Sequence, residues 1–494
     1  MSDSIYNNII LSKTESEIPV LKNGRTIESK YNPEREAAQL IQGFNRNTLF
    51  FIITGIGSGI LIKTISENFP ESKIIALEKT KADIDFLAKL KVIKELSKNP
   101  NIIFTDISEL EDSIIQNYTP ALHGNLQIFE NKAWITENPE EKESIQLHIQ
   151  RAIKKVSADF SVQAHFGKIW QQNILTNLKI YSEKPVTNCH EEVNLNKTAA
   201  IIAAGPSLDS YIEELKKADY YIIATDTAFS ILKKYSITVN AVVSLDGQYV
   251  SYNHFLGELK DNCKSDFYFD LSRKPTAAKQ VVDNKKSLNY FISGHPLSQY
   301  AVTSQGLNLL KLYSGSGTVT ITAFDLALQL GFTKFKIFGA DFSYTKKAYA
   351  KGSYLDSLYQ LSSNRINTVE KQFSKLMFRT ELIKKGEYIS TQVLESYKSS
   401  FEEYLMSSGC NFTKNNMVYE ITLAEAAKER TSSNKSEVLG KAFYKNFINQ
   451  LKNDKKNEII LLPYIAWLRK NLKFSDNTYK ELVMLARKSL ERYN

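Results

Sequence analysis

The stretch AAIIAAGPSLDSYIEELKK, residues 199–217, decides the fold of this chain. A short apolar run ends at Gly205, and a segment with helical periodicity follows it. Gly205 allows close approach to the backbone, Pro206 fixes φ, and Ser207 is a residue type that caps helices. An apolar run that leads through such a turn into a helix is typical of a βαβ unit. The turn by itself predicts either a phosphate site at the helix start or a simple helix cap.

Further apolar runs in this part of the chain end in acidic residues. Thr225 and Asp226 follow YYIIA, Asp246 follows AVVSL, and Asp341 follows FKIFGA. The carboxyl ends of parallel strands meet at one edge of a sheet, so we expect these side chains to lie close together. Three acids at one edge would repel each other in a purely structural arrangement. They therefore predict a site that grips sugar hydroxyls, a base or a cation.

A second run of small residues, Ser314-Gly-Ser-Gly-Thr318, precedes the helical stretch VTITAFDLALQLG. Small residues at a helix start leave backbone N–H groups open to an anion. The segment predicts either a cradle for a phosphate or carboxylate or a flexible loop that caps the helix.

Another glycine turn, Gly55-Ile-Gly57-Ser-Gly59, lies between an apolar run and a helix, and Glu78 ends the next predicted strand. This layout is typical of a nucleotide-cofactor site, in which amides hold an anion and the acid holds a ribose. It also resembles motif I of methyltransferases, although Ile53 stands where that motif has an acid. A P-loop is excluded because no glycine directly precedes Lys63. The alternative is a structural turn that lets strand and helix pack closely.

Composition divides the chain into four segments. We expect a Rossmann-like α/β domain over residues 1–130, a helical connector over 131–190, a larger α/β domain with a parallel sheet over 191–420 and a helical region over 421–494. The larger domain is expected to carry a helical insertion from about residue 356. The fold class is therefore predicted as multi-domain α/β.

Composition and charge exclude several function classes. The chain has 494 residues, 43% of them hydrophobic, with 20 glycines and 11 prolines, which excludes a disordered or fibrous protein. The net charge of +9 is spread without a dense basic block, so we expect an anionic small molecule and no nucleic acid. Three scattered cysteines predict no disulfide framework. We expect neither a secretory signal nor a membrane span, hence a cytoplasmic protein of unspecified oligomeric state.

The strand-end segments resemble a known family. AAIIAAGPSLD, ATDTAFSILKKYSITVNAVVSLDGQ and SGSGTVTITAFDLALQLGFTKFKIFGADFSY are similar to the core of the motility-associated factors (Maf), which glycosylate flagellin. IESKYNPEREA and FGKIWQQNILTNL resemble upstream parts of that family, so the likeness covers roughly residues 25–420. The core also resembles bacterial sialyltransferases that use CMP-activated sugars, which implies a GT-A-like domain, and archaeal hydroxymethylpterin diphosphokinases.

The resemblance implies a function and a set of site residues. It implies transfer of a nonulosonic acid (pseudaminic, legionaminic or sialic type) from a CMP-activated donor to Ser or Thr of flagellin, as part of flagellar assembly and motility. By position, the residues expected to bind the donor are Gly205, Pro206, Ser207, Thr225, Asp226, Asp246, Ser316, Gly317 and Thr318. Asp341 matches the acid of the family's strand-end Gly-x-Asp element.

Two departures from the family pattern affect the expected chemistry. Val239-Asn240 replaces the usual Pro-Asp before the third strand, and no histidine follows His295, although related sialyltransferases place a histidine base downstream of Gly-x-Asp. Asp341 is therefore the expected general base, and Tyr349 is expected to help the leaving phosphate. His295 is expected to be structural rather than ligand-binding.

Metal dependence is left open by the sequence. A divalent metal, Mg²⁺ or Mn²⁺, would sit on single acids such as Asp226, Asp246 or Asp341, and no metal ligand set is predicted. Asp83-Ile-Asp85 is the one strict Asp-x-Asp, and we expect it on a solvated helix face. Two other functions also remain open: an ATP-dependent diphosphokinase acting on a small alcohol, and a non-catalytic flagellin-binding adaptor.

Overall fold

A computed structural model describes residues 4–183, 193–247, 259, 264–345, 347–386, 388–424, 439–472 and 479–493. Cys189, Cys263, His190 and His254 lie outside these residues. The chain forms two compact units. The first comprises Met1–Lys168 and Leu461–Glu491, and the second comprises Ile169–Ile460 and Arg492–Asn494.

The described strands and helices are numbered in chain order. The strands are β1 Tyr6–Leu11, β2 Glu17–Leu21, β3 Phe50–Thr54, β4 Lys73–Glu78, β5 Ile102–Asp106, β6 Gln127–Glu130, β7 Ala199–Ile202, β8 Tyr221–Thr225, β9 Ala241–Ser244, β10 Asp266–Asp270, β11 Leu288–Ile292, β12 Leu310–Lys311, β13 Lys334–Phe338, β14 Ile383–Lys385, β15 Tyr388–Ser390, β16 Cys410–Asn415 and β17 Val418–Leu423. The helices are α1 Pro33–Leu40, α2 Ile60–Asn68, α3 Lys81–Leu87, α4 Lys91–Leu96, α5 Leu110–Asn117, α6 Pro120–His123, α7 Lys132–Glu137, α8 Glu141–Glu183, α9 Ile212–Lys217, α10 Asp226–Lys234, α11 Pro275–Asp283, α12 Pro296–Gln305, α13 Val319–Leu330, α14 Tyr354–Leu361, α15 Val369–Met377, α16 Gln392–Ser407, α17 Gly440–Asn453, α18 Asn457–Ile460, α19 Leu462–Asn471 and α20 Tyr479–Ser489.

The first unit is built on a four-stranded parallel sheet in the order β5-β4-β3-β6. Every residue of β3 is buried, because apolar side chains on both faces of the strand are covered. Helix α19 belongs to this unit, where Arg469 donates hydrogen bonds to the carbonyl oxygens of Ala121 and Leu122. Residues Leu461–Glu491 thus belong to the first unit, whereas the expected boundaries place them in a separate helical region, 421–494.

The second unit is built on a nine-stranded sheet in the order β12-β11-β10-β9-β8-β7-β13-β17-β16. The strands from β12 to β13 are parallel, and β17 and β16 are added antiparallel at the β13 side. Helix α13 packs on β7, β8 and β9, and eight of its twelve residues are buried. Both units confirm the predicted multi-domain α/β class with parallel sheets.

The strand order reverses at β7. The chain steps from β7 outward to β12 and then returns to place β13 on the other side of β7, with Ile201 opposite Ile337. In open α/β sheets, ligands bind outside the carboxyl ends of the strands at such a switch point. The topology therefore directs attention to the segments that follow β7 and β13.

Three local expectations compare with the structure as follows. Helix α8, Glu141–Glu183, lies within the range 131–190 that was expected to be a helical connector. The segment around Cys410, within the insertion expected to be helical from about residue 356, is instead a β-hairpin, β16–β17, which extends the nine-stranded sheet. Asp85 is exposed, as expected of a solvated helix face, but Asp83 is fully buried, so the expectation was wrong for Asp83. The Asp83 carboxylate forms a capping box with Thr80 and accepts hydrogen bonds from the Ser4 hydroxyl and the Ile5 N–H. Among the described residues, no helix has the length and apolar character needed to cross a bilayer.

Candidate functional site

The two glycine turns at the switch point pack directly against each other. The Gly205 N–H donates to the Gly339 carbonyl at 2.8 Å. A β-carbon at Gly205 would lie 2.4 Å from that carbonyl oxygen, and one at Gly339 would lie 2.2 Å from the Ala203 carbonyl oxygen. Gly339 also has φ of 69°, in the left-handed region. Both glycines are therefore required for β7 and β13 to end side by side.

Asp341 and Ser207 are joined across this switch point. The Ser207 N–H donates to Asp341 Oδ2 at 2.7 Å, and the Ser207 hydroxyl donates to Asp341 Oδ1. Burial raises the pKa of the Asp341 carboxyl, the two Ser207 bonds oppose that rise, and the charge of Lys414 also lowers it. The Ser207 N–H was expected to face a ligand anion. It is instead bonded to the Asp341 carboxylate, which takes the place of an anion at the start of the turn Pro206–Tyr211.

The residue after Asp341 has an unfavourable backbone conformation. Phe342 has φ of 51°, a left-handed value that costs a non-glycine residue about 1–2 kcal/mol. Its ring packs on Phe401 at 5.8 Å, and its carbonyl accepts a hydrogen bond from Ser390. These contacts hold the sharp turn that brings the Asp341 carboxylate back toward β7.

A second polar group lies at the carboxyl ends of β8, β9 and β10. The Arg273 Nε–H donates to Ser244 Oγ at 2.6 Å, and the Ser244 hydroxyl donates to Asp226 Oδ2. The other Asp226 oxygen accepts the Thr227 N–H at 2.7 Å. Burial lowers the pKa of Arg273 to about 10, and the nearby charges of Asp226 and Asp246 oppose that shift. The charges of Asp226 and Asp246 thus both act on Arg273 at this edge of the sheet.

Arg273 was missed by the sequence reasoning. It is fully buried and lies over the Phe269 ring, with its guanidinium carbon 4.0 Å from the ring centroid. Helix α8 fixes the surrounding loop, because Asn173 donates to the carbonyls of Gly247 and Ser272, and Asn177 to those of Leu271 and Arg273. The available signal was the LSRKP segment directly after the strand FYFD, at the same edge as the predicted acids.

The remaining predicted residues lie along the same edge. Thr225 is buried at the end of β8 and precedes α10, and Asp246 follows β9. Gly317 is exposed with φ of 74°, and Thr318 precedes α13 without a side-chain capping bond. Ser316 lies in the same short 3-10 turn, Gly315–Gly317. The loop Gly315–Thr318 therefore leads into α13 without a side-chain cap at the start of that helix.

Tyr349 precedes Ala350, whose N–H donates to the Ala204 carbonyl at 2.9 Å, at the turn after β7. Burial raises the pKa of the Tyr349 phenol, and the nearby Tyr344, Tyr359 and Asp226 raise it further. Its ring packs on the cluster of Ala348, Phe373 and Met377. The phenol therefore stays protonated near neutral pH and is suited to donate a hydrogen bond.

His295 follows β11 and caps α12. Its Nδ1 accepts the Leu297 N–H at 3.1 Å, which leaves the proton on Nε2, and burial lowers its pKa to about 3. The neutral imidazole packs edge-on against Trp170, with ring centroids 5.7 Å apart. This capping role agrees with the structural interpretation of His295.

The glycine turn of the first unit is filled by the chain's own side chains. Glu28 Oε1 accepts the Ser58 N–H at 2.8 Å, and a β-carbon at Gly57 would lie 1.9 Å from that oxygen. Glu78 accepts hydrogen bonds from Tyr6, Trp134 and the Ile56 N–H, each at 2.8 Å. Burial raises the pKa of both carboxyls to about 7. This geometry favours the structural interpretation of the turn over a cofactor site.

In the part of the chain that the structure describes, no group of three or more His, Cys, Asp or Glu side chains has an arrangement that would hold a metal ion. Cys410 is buried and unbridged.

Comparisons with known proteins support the fold. The model of a family described as 6-hydroxymethylpterin diphosphokinase MptE-like matches residues 172–347. A solved structure, a Maf glycosyltransferase from Magnetospirillum magneticum AMB-1, has a TM-score of 0.52 and 12% identity, over 98% of this chain and 86% of that one. These matches confirm, for the fold, the resemblance to the Maf family with a diphosphokinase-like core.

Two curated relatives, both uncharacterized proteins of Treponema pallidum (strain Nichols), match shorter segments. One is 36% identical over 144 residues, 28% of this chain and 66% of the relative. The other is 38% identical over 140 residues, 27% of this chain and 49% of the relative. The chain thus spans less than two thirds of the length of either relative.

Proposed function

We propose that the second unit is a glycosyltransferase that moves a nonulosonic acid from a CMP-activated donor to Ser or Thr hydroxyls of flagellin in the cytoplasm. The observation that carries the proposal is the pairing of Asp341 with Ser207 at the switch point of a parallel sheet. The fold shared with a Maf glycosyltransferase supports the assignment to sugar transfer.

Asp341 is proposed as the general base. In the reaction, the bond between the anomeric carbon and the phosphate oxygen breaks, CMP leaves, and a bond forms to the acceptor oxygen. The acceptor proton passes to an Asp341 oxygen, each of which has a lone pair beyond the bond from Ser207. Because burial raises the pKa of Asp341, the carboxylate is a stronger base than an exposed aspartate.

The developing charge on the leaving phosphate requires hydrogen-bond donors and positive charge. The proposal gives this role to the helix-start amides around Gly317 and Thr318 and to the protonated phenol of Tyr349. Asp226, held by Ser244 and Arg273, is proposed to bind donor hydroxyls, together with Asp246.

The test is transfer from a CMP-activated nonulosonic acid to purified flagellin, followed by intact-mass measurement. Asp341→Asn should slow transfer by about 10²–10⁴-fold, the usual contribution of a general base. Asp219→Asn is the matched control, since Asp219 is an exposed acid paired with Lys197 on the same unit. Transfer by Asp341→Asn at the wild-type rate would overturn the role of Asp341. Unchanged flagellin mass with the wild-type protein would overturn the function.

A second candidate is an ATP-dependent diphosphokinase, which the family match over residues 172–347 favours. It predicts stabilisation of the protein by ATP and Mg²⁺ rather than by CMP in a thermal-shift measurement. A non-catalytic flagellin-binding adaptor instead predicts co-purification with flagellin and no shift with either nucleotide.

A further inference from the structure

Two stacked tyrosines lie beside the loop that precedes α13. The rings of Tyr313 and Tyr404 are nearly parallel, at 6°, with centroids 4.4 Å apart. Both are tied to the Asp325 carboxylate, which accepts the Tyr313 N–H at 2.7 Å and the Tyr404 hydroxyl at 2.7 Å. Gln329 adds a third bond to Asp325 at 3.0 Å. Asp325 therefore anchors the backbone of Tyr313 and the hydroxyl of Tyr404, and the stacking contact joins the two rings.

The ring of Tyr313 is partly open to solvent. Tyr313 is 47% exposed, and Tyr404 stacks against one face of its ring. It lines a cavity of 350 Å³, together with Ser293, Lys311, Ser314 and Gly315. A cavity of this size is within the range of small-molecule sites.

We propose that Tyr313 is the stacking platform for the planar base of the nucleotide donor. The inference rests on the proposed function and extends it by naming the residue that receives the base. Every nucleobase has a π-face that stacks on an aromatic side chain, and this contact is sequence-tolerant. The rigid support from Tyr404 and Asp325 means that little freedom is lost on binding.

The platform adjoins the expected phosphate cradle. The Tyr313 hydroxyl reaches Gly315, where a β-carbon would lie 2.3 Å from the Tyr313 oxygen. Ser314 fastens the same loop to the end of β11 through a bond to the Ser293 carbonyl at 3.2 Å. A base on Tyr313 thus places its attached phosphate beside the loop Ser314–Thr318, while Lys311 supplies positive charge at the rim.

Gly315 also provides a second, independent way to disturb the platform. Alanine at this position leaves the backbone unstrained, because Gly315 is outside the positive-φ region. The added methyl group would overlap the hydroxyl end of the Tyr313 ring and must displace that ring. Tyr313→Leu removes the ring, Gly315→Ala displaces it, and Tyr313→Phe keeps it while removing only the hydroxyl.

The experiment is calorimetric titration of the full-length protein with CMP and with ribose 5-phosphate. Tyr313→Leu should weaken CMP binding about tenfold or more, in line with the loss of one base stack, and leave ribose 5-phosphate binding unchanged. Tyr313→Phe should bind CMP within about twofold of wild type. Gly315→Ala should weaken CMP binding in the wild-type background and add nothing to Tyr313→Leu.

The outcomes separate this inference from the proposed function. CMP binding by Tyr313→Leu at wild-type affinity overturns the platform and leaves the transferase intact. If the wild-type protein binds AMP or GMP instead of CMP, and this binding still requires the Tyr313 ring, the result overturns the CMP donor and supports the platform. Equal loss of CMP and ribose 5-phosphate binding in Tyr313→Leu means that the ring contacts the sugar rather than the base, and it overturns the inference. Absence of any nucleotide binding by the wild type also overturns it.

Discussion

Ser207 donates both its backbone N–H and its hydroxyl to the carboxylate of Asp341, although 134 residues separate them. The pairing joins the turn after β7 to the turn after β13, where the strand order of the sheet reverses. It fixes the acid that is proposed to take the acceptor proton. It also sets the basicity of that acid, since the two bonds lower a pKa that burial raises.

Removing the Ser207 hydroxyl should change the pH dependence of the reaction. Ser207→Ala deletes one bond to the Asp341 carboxylate and keeps the N–H bond, so the pKa of Asp341 should rise further. A general base works when ionised, and the acid limb of kcat/KM should therefore move to higher pH. Rates measured from pH 4 to pH 8 check this, and an acid limb that stays in place would contradict the role of Asp341.

Ser244 lies at the centre of the hydrogen-bond chain from Arg273 to Asp226, so the stability of the second unit should depend on its hydroxyl. Ser244→Ala deprives a buried arginine of an acceptor and a buried carboxylate of a donor, and such losses cost about 1–3 kcal/mol. Ser230→Ala is the matched control, because that buried hydroxyl makes one long bond, 3.4 Å, to the Thr227 carbonyl. Urea unfolding midpoints compare the two, and equal shifts would mean that the chain adds no stability.

In the glycine turn of the first unit, the effects of substitutions at Gly57 and Glu28 on stability should be coupled. Gly24 and Gly57 both have left-handed φ, but a β-carbon at Gly24 meets nothing within 4 Å, whereas one at Gly57 overlaps Glu28. Gly24→Ala should lower the unfolding free energy by about 1–2 kcal/mol because of the left-handed backbone alone, and Gly57→Ala should lower it by clearly more. Adding Glu28→Ala should recover much of the excess at Gly57 and none at Gly24. Hydrogen exchange of the β3 and β4 amides measures the first unit by itself. Strict additivity at Gly57 would show that Glu28 moves aside freely.

Glu78 should make the stability of the first unit depend on pH. Its pKa is about 7 in the folded chain and 4.5 in the reference state, so the folded state binds the proton more tightly. The unfolding free energy should therefore fall as pH rises from about 4.5 to about 7, by about 3 kcal/mol from this group, and level off above. Urea titrations at pH 5 and pH 8 test this. Glu78→Gln should reduce the difference in unfolding free energy between pH 5 and pH 8. If that difference is unchanged in the variant, groups other than Glu78 cause it.

Much of the fold follows from local pattern. The apolar runs of β3, β4, β7, β8, β9 and β13 are each bounded by turn residues, and a parallel arrangement follows because helices separate them. The hairpin β16–β17 was not predicted, because CNFTKN and VYEITL lie in a polar segment, and β17 joins the sheet by pairing with β13, a strand distant in sequence. Pairing partners of this kind are not encoded within a few residues of the strand.

The sequence by itself determined that acids stand at the carboxyl ends of several parallel strands, since strand direction places all such ends at one edge. Only the tertiary structure decided which groups those acids contact: Ser207 for Asp341, and Ser244, with Arg273 behind it, for Asp226. It also decided that Glu28 fills the glycine turn of the first unit. The physical reason is that periodicity and turn chemistry act over a few neighbouring residues. A buried polar group must instead take its partner from whatever distant segment packing brings within hydrogen-bond distance.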